Sequence, residues 1–283
     1  ADFAMYQAKQ SGRQRIEVFD ARLHQEAARR MDTEQRLGHA LEHSELRLVY
    51  QPLVDIETGR LEGVEALLRW EHPELGLLPP AEFLEVAEDS GLIVPIGAWV
   101  LEEACRQLAE WDSTGHGSVT MSVNVSPRQL GHTDFADVVH GALARTGADP
   151  THLIVEITEQ TFLETTVAVS DDLQMLHKLG IRLSVDDFGT GYSSLVSLKR
   201  FPVSHLKVDR DFVDGLGHRA DDTAIVAAIL RLAQELGLTS VAEGIETEEQ
   251  LALVRGYGCR LAQGFLVGRP ASAEQLKGLL ATN

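Results

Sequence analysis

SVDDFGTGYSS, residues 184–194, closes a short apolar run that begins at Ile181. Ile181–Asp186 reads as a strand ending in two adjacent carboxylates, Asp186 and Asp187, and the glycine-punctuated turn Phe188-Gly189-Thr190-Gly191 follows. Two neighbouring acids at a strand end are costly to bury unless a cation or a proton compensates. Gly189 and Gly191 permit positive φ or close approach to a ligand. A solvated Asp-Asp turn between a strand and a helix would carry the same letters, so the flanking sequence has to decide between the two.

Working outward, strands are expected at Leu46–Gln51, Leu61–Leu67, Thr120–Asn124, Leu153–Ile157, Ile181–Asp186, His205–Val208, Thr239–Ala242 and Arg260–Phe265. Helical periodicity fills most of the intervals: 80–89, 95–113, 134–146, 165–179, 220–236, 247–257 and 273–280. Pro80 and Pro95 suit first helical turns, and Gly147, Gly180, Gly237 and Gly258 suit C-terminal stops. Eight strands with interleaved helices over about 240 residues fit an α/β fold of the (β/α)8 TIM-barrel type. An open doubly wound sheet is the alternative, but no GxGxxG fingerprint follows the first strand. Alternation sharpens the barrel reading. The polar series Thr120, Ser122, Asn124; Arg182, Ser184, Asp186; and His205, Lys207, Asp209 each fall on one strand face. A polar inner face ending in such groups at the strand C-termini is what a barrel site requires.

The 283 residues are 44% hydrophobic and 24% charged, with a formal net charge of -18. Such a chain can bury a full core. The acidic balance argues against DNA or RNA as a partner, since phosphate attraction needs a basic field. An anionic substrate would need local arginine, lysine or metal. No apolar run reaches membrane length and none reads as a secretory leader. Cys105 and Cys259 read as reduced thiols, so a cytoplasmic location without membrane contact is expected, any anchor lying in regions not present here. Ala1 stands first, which suggests a fragment of a longer chain. Residues 21–43 are rich in helix formers and read as a linker helix (21–34) running into the main domain (35–283).

The polar residues at strand C-termini form one set: Glu65, Asn124, Glu156, Glu159, Asp186, Asp187, Lys207, Asp209, Glu243, Glu246 and Gln263. Most are hard oxygen donors, and no Cys or His cluster has ligand spacing. Mg²⁺ or Mn²⁺ is therefore favoured over zinc. The acids outnumber the needs of one ion. Two ions about 4 Å apart would use them and would suit in-line attack on a phosphodiester.

In order along the chain, Tyr50-Gln51-Pro52, Glu65-Ala66-Leu67 with Arg69-Trp70, Asn124-Val125-Ser126, Glu156-Ile157-Thr158-Glu159, Asp186 to Ser193, Lys207-Val208-Asp209, Ala242-Glu243-Gly244-Ile245-Glu246 and Gln263-Gly264-Phe265 resemble the motifs of EAL-domain phosphodiesterases. The resemblance covers residues 35–280, and the ordered set is far more specific than any one motif. It implies hydrolysis of cyclic di-GMP to linear pGpG. It also implies roles: Glu65, Asn124, Glu156 and Asp186 on a first metal, and Asp186, Asp187 and, through water, Glu243 on a second. Lys207 would orient or polarise the attacking water, and Arg69 would bind a substrate phosphate. Gln51, Leu67, Asp209, Gln263 and Phe265 would line the nucleotide pocket. Glu159 would hold the loop after Asp187, and Glu246 would support Glu243. Phe265 stands where some members carry Tyr. Residues 1–20 resemble the C-terminal end of a GGDEF (diguanylate cyclase) domain, whose own signature is absent here. The resemblance thus implies upstream GGDEF and sensory domains as partners, and a homodimer.

Other readings stay open on sequence grounds. A catalytically silent cyclic di-GMP receptor would need the same pocket. An enolase-like barrel would also use acids and a lysine, but it explains neither Asp186-Asp187 nor Arg69. Glu159 and Glu246 also suit first-turn helix positions. His72, His116, His132 and His152 read as surface or loop histidines, and Trp70 and Trp99 as core.

Overall fold

The structure, a computed structural model, describes residues 21–115, 119–132, 134–163, 167–191, 198 and 201–280. The GGDEF-like segment 1–20, His116 and Tyr192 to Ser194 of the Asp-Asp stretch lie outside the described residues. The chain divides into two compact units, residues 1–46 with 70–93, and residues 47–69 with 94–283.

In the first unit the helix Ala21–Ala40 buries Leu37 and Ala40. Its other core members include Trp70, Phe83 and Ala87, with the Trp70 and Phe83 rings edge-to-face at 5.7 Å. Trp70 Nε1 donates to Glu45 Oε2 at 3.0 Å, which satisfies the indole in its buried place. The helix predicted over 80–89 is two pieces, a 3₁₀ turn Pro80–Glu82 and a helix Leu84–Ser90, because Phe83 between them leaves helical geometry. His72 is buried rather than on the surface: its Nδ1 accepts from the amides of Glu74 and Leu75, both at 3.1 Å, and so shapes the hairpin turn.

The second unit is the barrel. In chain order the strands are β1 (Leu46–Asp55), β2 (Leu61–His72), β3 (Gly76–Leu78), β4 (Thr120–Asn124), β5 (Leu153–Thr158), β6 (Arg182–Phe188), β7 (Val203–Val208), β8 (Thr239–Ala242) and β9 (Leu261–Ala262). The sheet order is β1-β9-β8-β7-β6-β5-β4-β2-β3, and a β1–β2 pairing closes eight strands into a ring. The last residues of β2 pair with β3 in a hairpin that belongs to the first unit. From β2 and β4 through β9 the ladder is parallel, with helices such as Ala220–Leu236 crossing between strands. β1 is the exception, since it pairs antiparallel with β9. Residues 56–60 are too short a link for a parallel crossover, which requires a dozen or more residues. Asp55 closes that turn, its Oδ1 accepting from Thr58 N at 2.9 Å.

One face of each strand carries the barrel interior. Near the closing strands the interior is apolar, with Leu53, Val241 and Leu261 forming a buried cluster. Around β4 to β7 it is polar, with Ser122, Glu156, Ser184, His205 and Lys207 all buried. Register aligns the groups that matter: Glu65 with Ser122, Asn124 with Glu156, and Thr158 with Asp186.

Candidate active site

A bulge in β6 brings the two aspartates together. Val185 pairs with Leu206 and Phe188 with Val208, so Asp186 and Asp187 both face the single residue Lys207. In a regular strand neighbouring side chains point to opposite faces, and an inserted residue is the ordinary way to re-aim one of them. Asp187 takes φ +53°, the left-handed region that L-residues avoid, and its amide bonds Asp186 Oδ1 at 2.9 Å. Carboxylate oxygens of Asp186, Asp187 and Glu243 then lie within 4.8 Å of one another.

Lys207 sits at the centre of the site with 1% of its side chain exposed. Its Nζ donates to Glu156 Oε2 at 2.6 Å. Glu243 Oε1 lies at 2.5 Å, Asp186 Oδ1 at 3.4 Å and Glu65 Oε2 at 3.5 Å. One ammonium thus faces four carboxylates. Lys207 holds its proton well above the usual lysine range: burial opposes the charge, and the surrounding acids outweigh it. The acids divide. Glu65 is held below the usual range, because the charge of Lys207 and hydrogen bonds from Gln263 and Asn124 overcome its burial. Burial, with repulsion from Glu65 and Asp186, pushes Glu156 up to about 8. Burial and then Asp186 push Asp187 up to about 7. The cluster carries more acid than its lysine can neutralise.

The Glu65 carboxylate is fixed from two further sides. Asn124 Nδ2 donates to Oε1 at 2.6 Å, and Gln263 Nε2 donates to Oε2 at 2.7 Å. That leaves Gln263 Oε1 buried with no hydrogen-bond partner among the described residues.

Above this floor opens a cavity of about 340 Å³. Glu65, Asn124, Asp186 and Glu243 reach into it from below; Gln51, Leu67, Arg69, Gln263 and Phe265 form walls. Arg69 is half-buried, and among the described residues it forms no ion pair; its Nη1 donates to the carbonyl of Leu68 at 2.8 Å. Burial lowers its pKa from the usual arginine value, the signature of a desolvated cation. Phe265 is exposed, and the Arg269 guanidinium lies 4.1 Å from its ring centroid.

Glu159 is 2% exposed, and its Oε2 accepts from the amides of Gly189 at 2.8 Å and Gly191 at 3.3 Å. It therefore grips the turn after Asp187, although it also opens the helix Glu159–Leu163. Asp209 stands apart from the other predicted wall residues. It caps the helix Arg210–Asp214, its Oδ1 accepting from Asp211 N at 2.6 Å, and its carboxyl approaches Asp187. Glu246 pairs with Arg210 at 3.0 Å. Arg210, which also lines the cavity, was not singled out by sequence reasoning, nor was Arg269.

The profile of the EAL domain family matches residues 34–270. The bifunctional diguanylate cyclase/cyclic di-GMP phosphodiesterase MucR of Pseudomonas aeruginosa is 48% identical over 281 residues, 99% of this chain and 41% of its own length. The cyclic di-GMP phosphodiesterase NbdA of the same organism is 39% identical over 280 residues, 99% of this chain and 36% of its own length. The chain thus spans about two-fifths of these relatives. Among solved structures, the MucR phosphodiesterase in complex with c-di-GMP superposes with a TM-score of 0.84 at 50% identity, covering 87% of this chain and 99% of that one.

Proposed function

This chain belongs to the EAL domain family, and from that premise and its site we propose that it hydrolyses cyclic di-GMP to linear pGpG with the help of divalent cations. The observation that carries the reading is the buried Lys207 among Glu65, Glu156, Asp186 and Glu243, beneath a cavity whose wall includes Arg69, which forms no ion pair among the described residues.

The residues fit metal. A set of carboxylates in which burial lifts Glu156 to about 8 and Asp187 to about 7 is short of positive charge, and its donors are hard oxygens. Glu65, Asn124, Glu156 and Asp186 would hold one Mg²⁺ or Mn²⁺, and Asp186, Asp187 and Glu243 a second. Bound cations supply Lewis-acid stabilisation of phosphoryl charge and acidify water.

The chain's own groups do the rest. Arg69 offers a desolvated planar fork to a substrate phosphate; the charge of Glu65 acts on it, but among the described residues it forms no ion pair. Lys207 keeps its proton, so it acts as a fixed donor that orients the attacking water rather than as a base. Leu67 and Phe265 give apolar contact to a guanine base, and Gln263 Oε1, unpartnered among the described residues, accepts a donor from the bound substrate or its water. Glu159 fixes the turn that carries Asp187.

On the same reading, residues 1–20 are the remnant of a GGDEF domain, 21–34 a linker helix and 35–283 the catalytic unit. Upstream domains and a second copy of the chain are its partners, in a cytoplasmic setting.

A time course with cyclic di-GMP and Mg²⁺ or Mn²⁺, separating cyclic from linear product, tests the activity. Linear product that vanishes with chelator supports it. Tight binding without turnover would make the chain a receptor instead.

A further inference from the structure

Arg210 opens the short helix Arg210–Asp214 and lines the cavity, yet none of the steps above uses it. Its methylene stem lies against Gly244, where an added Cβ would sit 2.4 Å from Arg210 Cγ. Gly244 has φ +67°, a conformation that glycine takes without strain. Beyond the stem, Arg210 Nη2 donates to Glu246 Oε1 at 3.0 Å and Nε to Asp214 Oδ2 at 3.4 Å. Ile245, between Gly244 and Glu246, is tied to the segment after β9. Ile245 N donates to Gln263 O at 3.0 Å, and Leu266 N donates to Ile245 O at 3.0 Å. Gly264 closes on the same backbone, for a Cβ there would lie 2.2 Å from Ile245 N.

The turn 243–246 is therefore held by Arg210 as well as by the chain beyond β9. It begins with Glu243, whose Oε1 meets Lys207 Nζ at 2.5 Å and whose carboxylate stands with Asp186 and Asp187. We infer that Arg210 is a positioning residue: its stem on Gly244 and its ion pair with Glu246 strap the turn, and the strap sets the Glu243 carboxylate against Lys207 and the two aspartates. The consequence for turnover rests on the phosphodiesterase reading, whereas the effect on cation binding rests only on the site's donor set.

Three substitutions separate the parts. Arg210→Met keeps the stem and removes the charge; Arg210→Ala removes both; Arg210→Lys keeps both and loses the planar fork. Two readouts are taken: Mn²⁺ affinity, from the paramagnetic resonance signal of free Mn²⁺, and kcat and KM for cyclic di-GMP. Arg210→Met is expected to weaken Mn²⁺ binding and lower kcat by about fivefold, the upper end of what an exposed ion pair can hold, with KM changed less than about twofold. Arg210→Ala falls further, and Arg210→Lys recovers most of the loss. Glu246→Gln matches Arg210→Met, and the double variant is no worse than either single one, because both remove the same strap. Wild-type Mn²⁺ affinity and kcat in Arg210→Met overturn the inference, as does a double variant in which the two losses add. Should Arg210→Ala fail to fold, Arg210→Lys and Glu246→Gln carry the comparison at exposed atoms. A wild-type chain that binds Mn²⁺ through this strap but turns over no cyclic di-GMP would sink the phosphodiesterase reading and leave the strap standing.

Discussion

Lys207 and Glu156 meet at 2.6 Å with 1% and 2% of their side chains exposed, so this hydrogen bond lies wholly inside the barrel. Removing the ammonium leaves Glu65, which Lys207 helps to hold ionised despite its burial, without a compensating charge. Lys207→Met is expected to cost about 3 kcal/mol of folding stability at pH 7 without added metal. Urea unfolding measures it, and a variant as stable as the wild type would mean that the acids around Lys207 are already neutral.

Cation binding should release protons. Glu156 sits at about 8 and Asp187 at about 7 in the metal-free protein, so both carry protons below those values. A cation must displace them, and its apparent affinity therefore rises as pH climbs from 6 to 8, by up to about tenfold per unit for each proton displaced. Calorimetric titration with Mg²⁺ in two buffers of different ionisation enthalpy reads the proton count. Equal heats in both buffers would contradict a protonated cluster.

Glu159→Gln tests the grip on the turn after Asp187. Glutamine keeps one acceptor for the amides of Gly189 and Gly191 but loses the charge that strengthens those bonds. A fall in kcat of about tenfold is expected, with KM nearly unchanged, since a misplaced Asp187 affects the reacting end more than binding. An altered KM with normal kcat would place the role of Glu159 in substrate capture.

His205 makes folding sensitive to acid. Burial, with Arg182 and Arg260 nearby, lowers its pKa to about 4 from 6.5. Above 6.5 neither the folded nor the unfolded chain protonates this ring, and it contributes no pH dependence. As pH falls from 6.5 to 4 the unfolded chain takes up a proton that the folded one refuses, and about 3 kcal/mol of stability is lost. The difference in unfolding free energy between wild type and His205→Gln, followed from pH 7 to pH 4, should shrink by that amount. A constant difference would show the ring free to ionise in the fold.

Much of this was legible in the letters. Period-2 alternation placed Asn124, Asp186 and Lys207 on inner faces, and the strand count implied a closed barrel. Alternation fixes a face but not a distance, so the convergence of four carboxylates on Lys207 had no sequence signature. The bulge at Asp186-Asp187 was equally hidden, because nothing in the strand announces an unpaired residue. The reversal of β1 was available: five residues between Asp55 and Leu61 exclude a crossover. β9 is shorter than the predicted 260–265, since Gln263 O leaves the ladder to accept from Ile245 N. Asp209 reads as the end of an inner-facing series, yet the helix that starts at Arg210 takes its carboxylate as a cap. Arg210 escaped notice because its partners, Gly244 and Glu246, are more than thirty residues away in sequence.

The left-handed backbone of Asp187 sets the fold and the chemistry against each other at one position. Glycine there would relax the chain by about 1 kcal/mol, and asparagine would sit nearly as easily. On the proposed reading, the carboxylate at 187 serves the reaction. In a lineage released from that reaction, the first substitutions favoured at 187 are those that discard it, and each gain in stability makes the return harder. Loss of Lys207 is a different path, because it strands a cluster of acids inside the barrel and is paid in folding at once. Disuse would therefore be recorded first at Asp187 and last at Lys207.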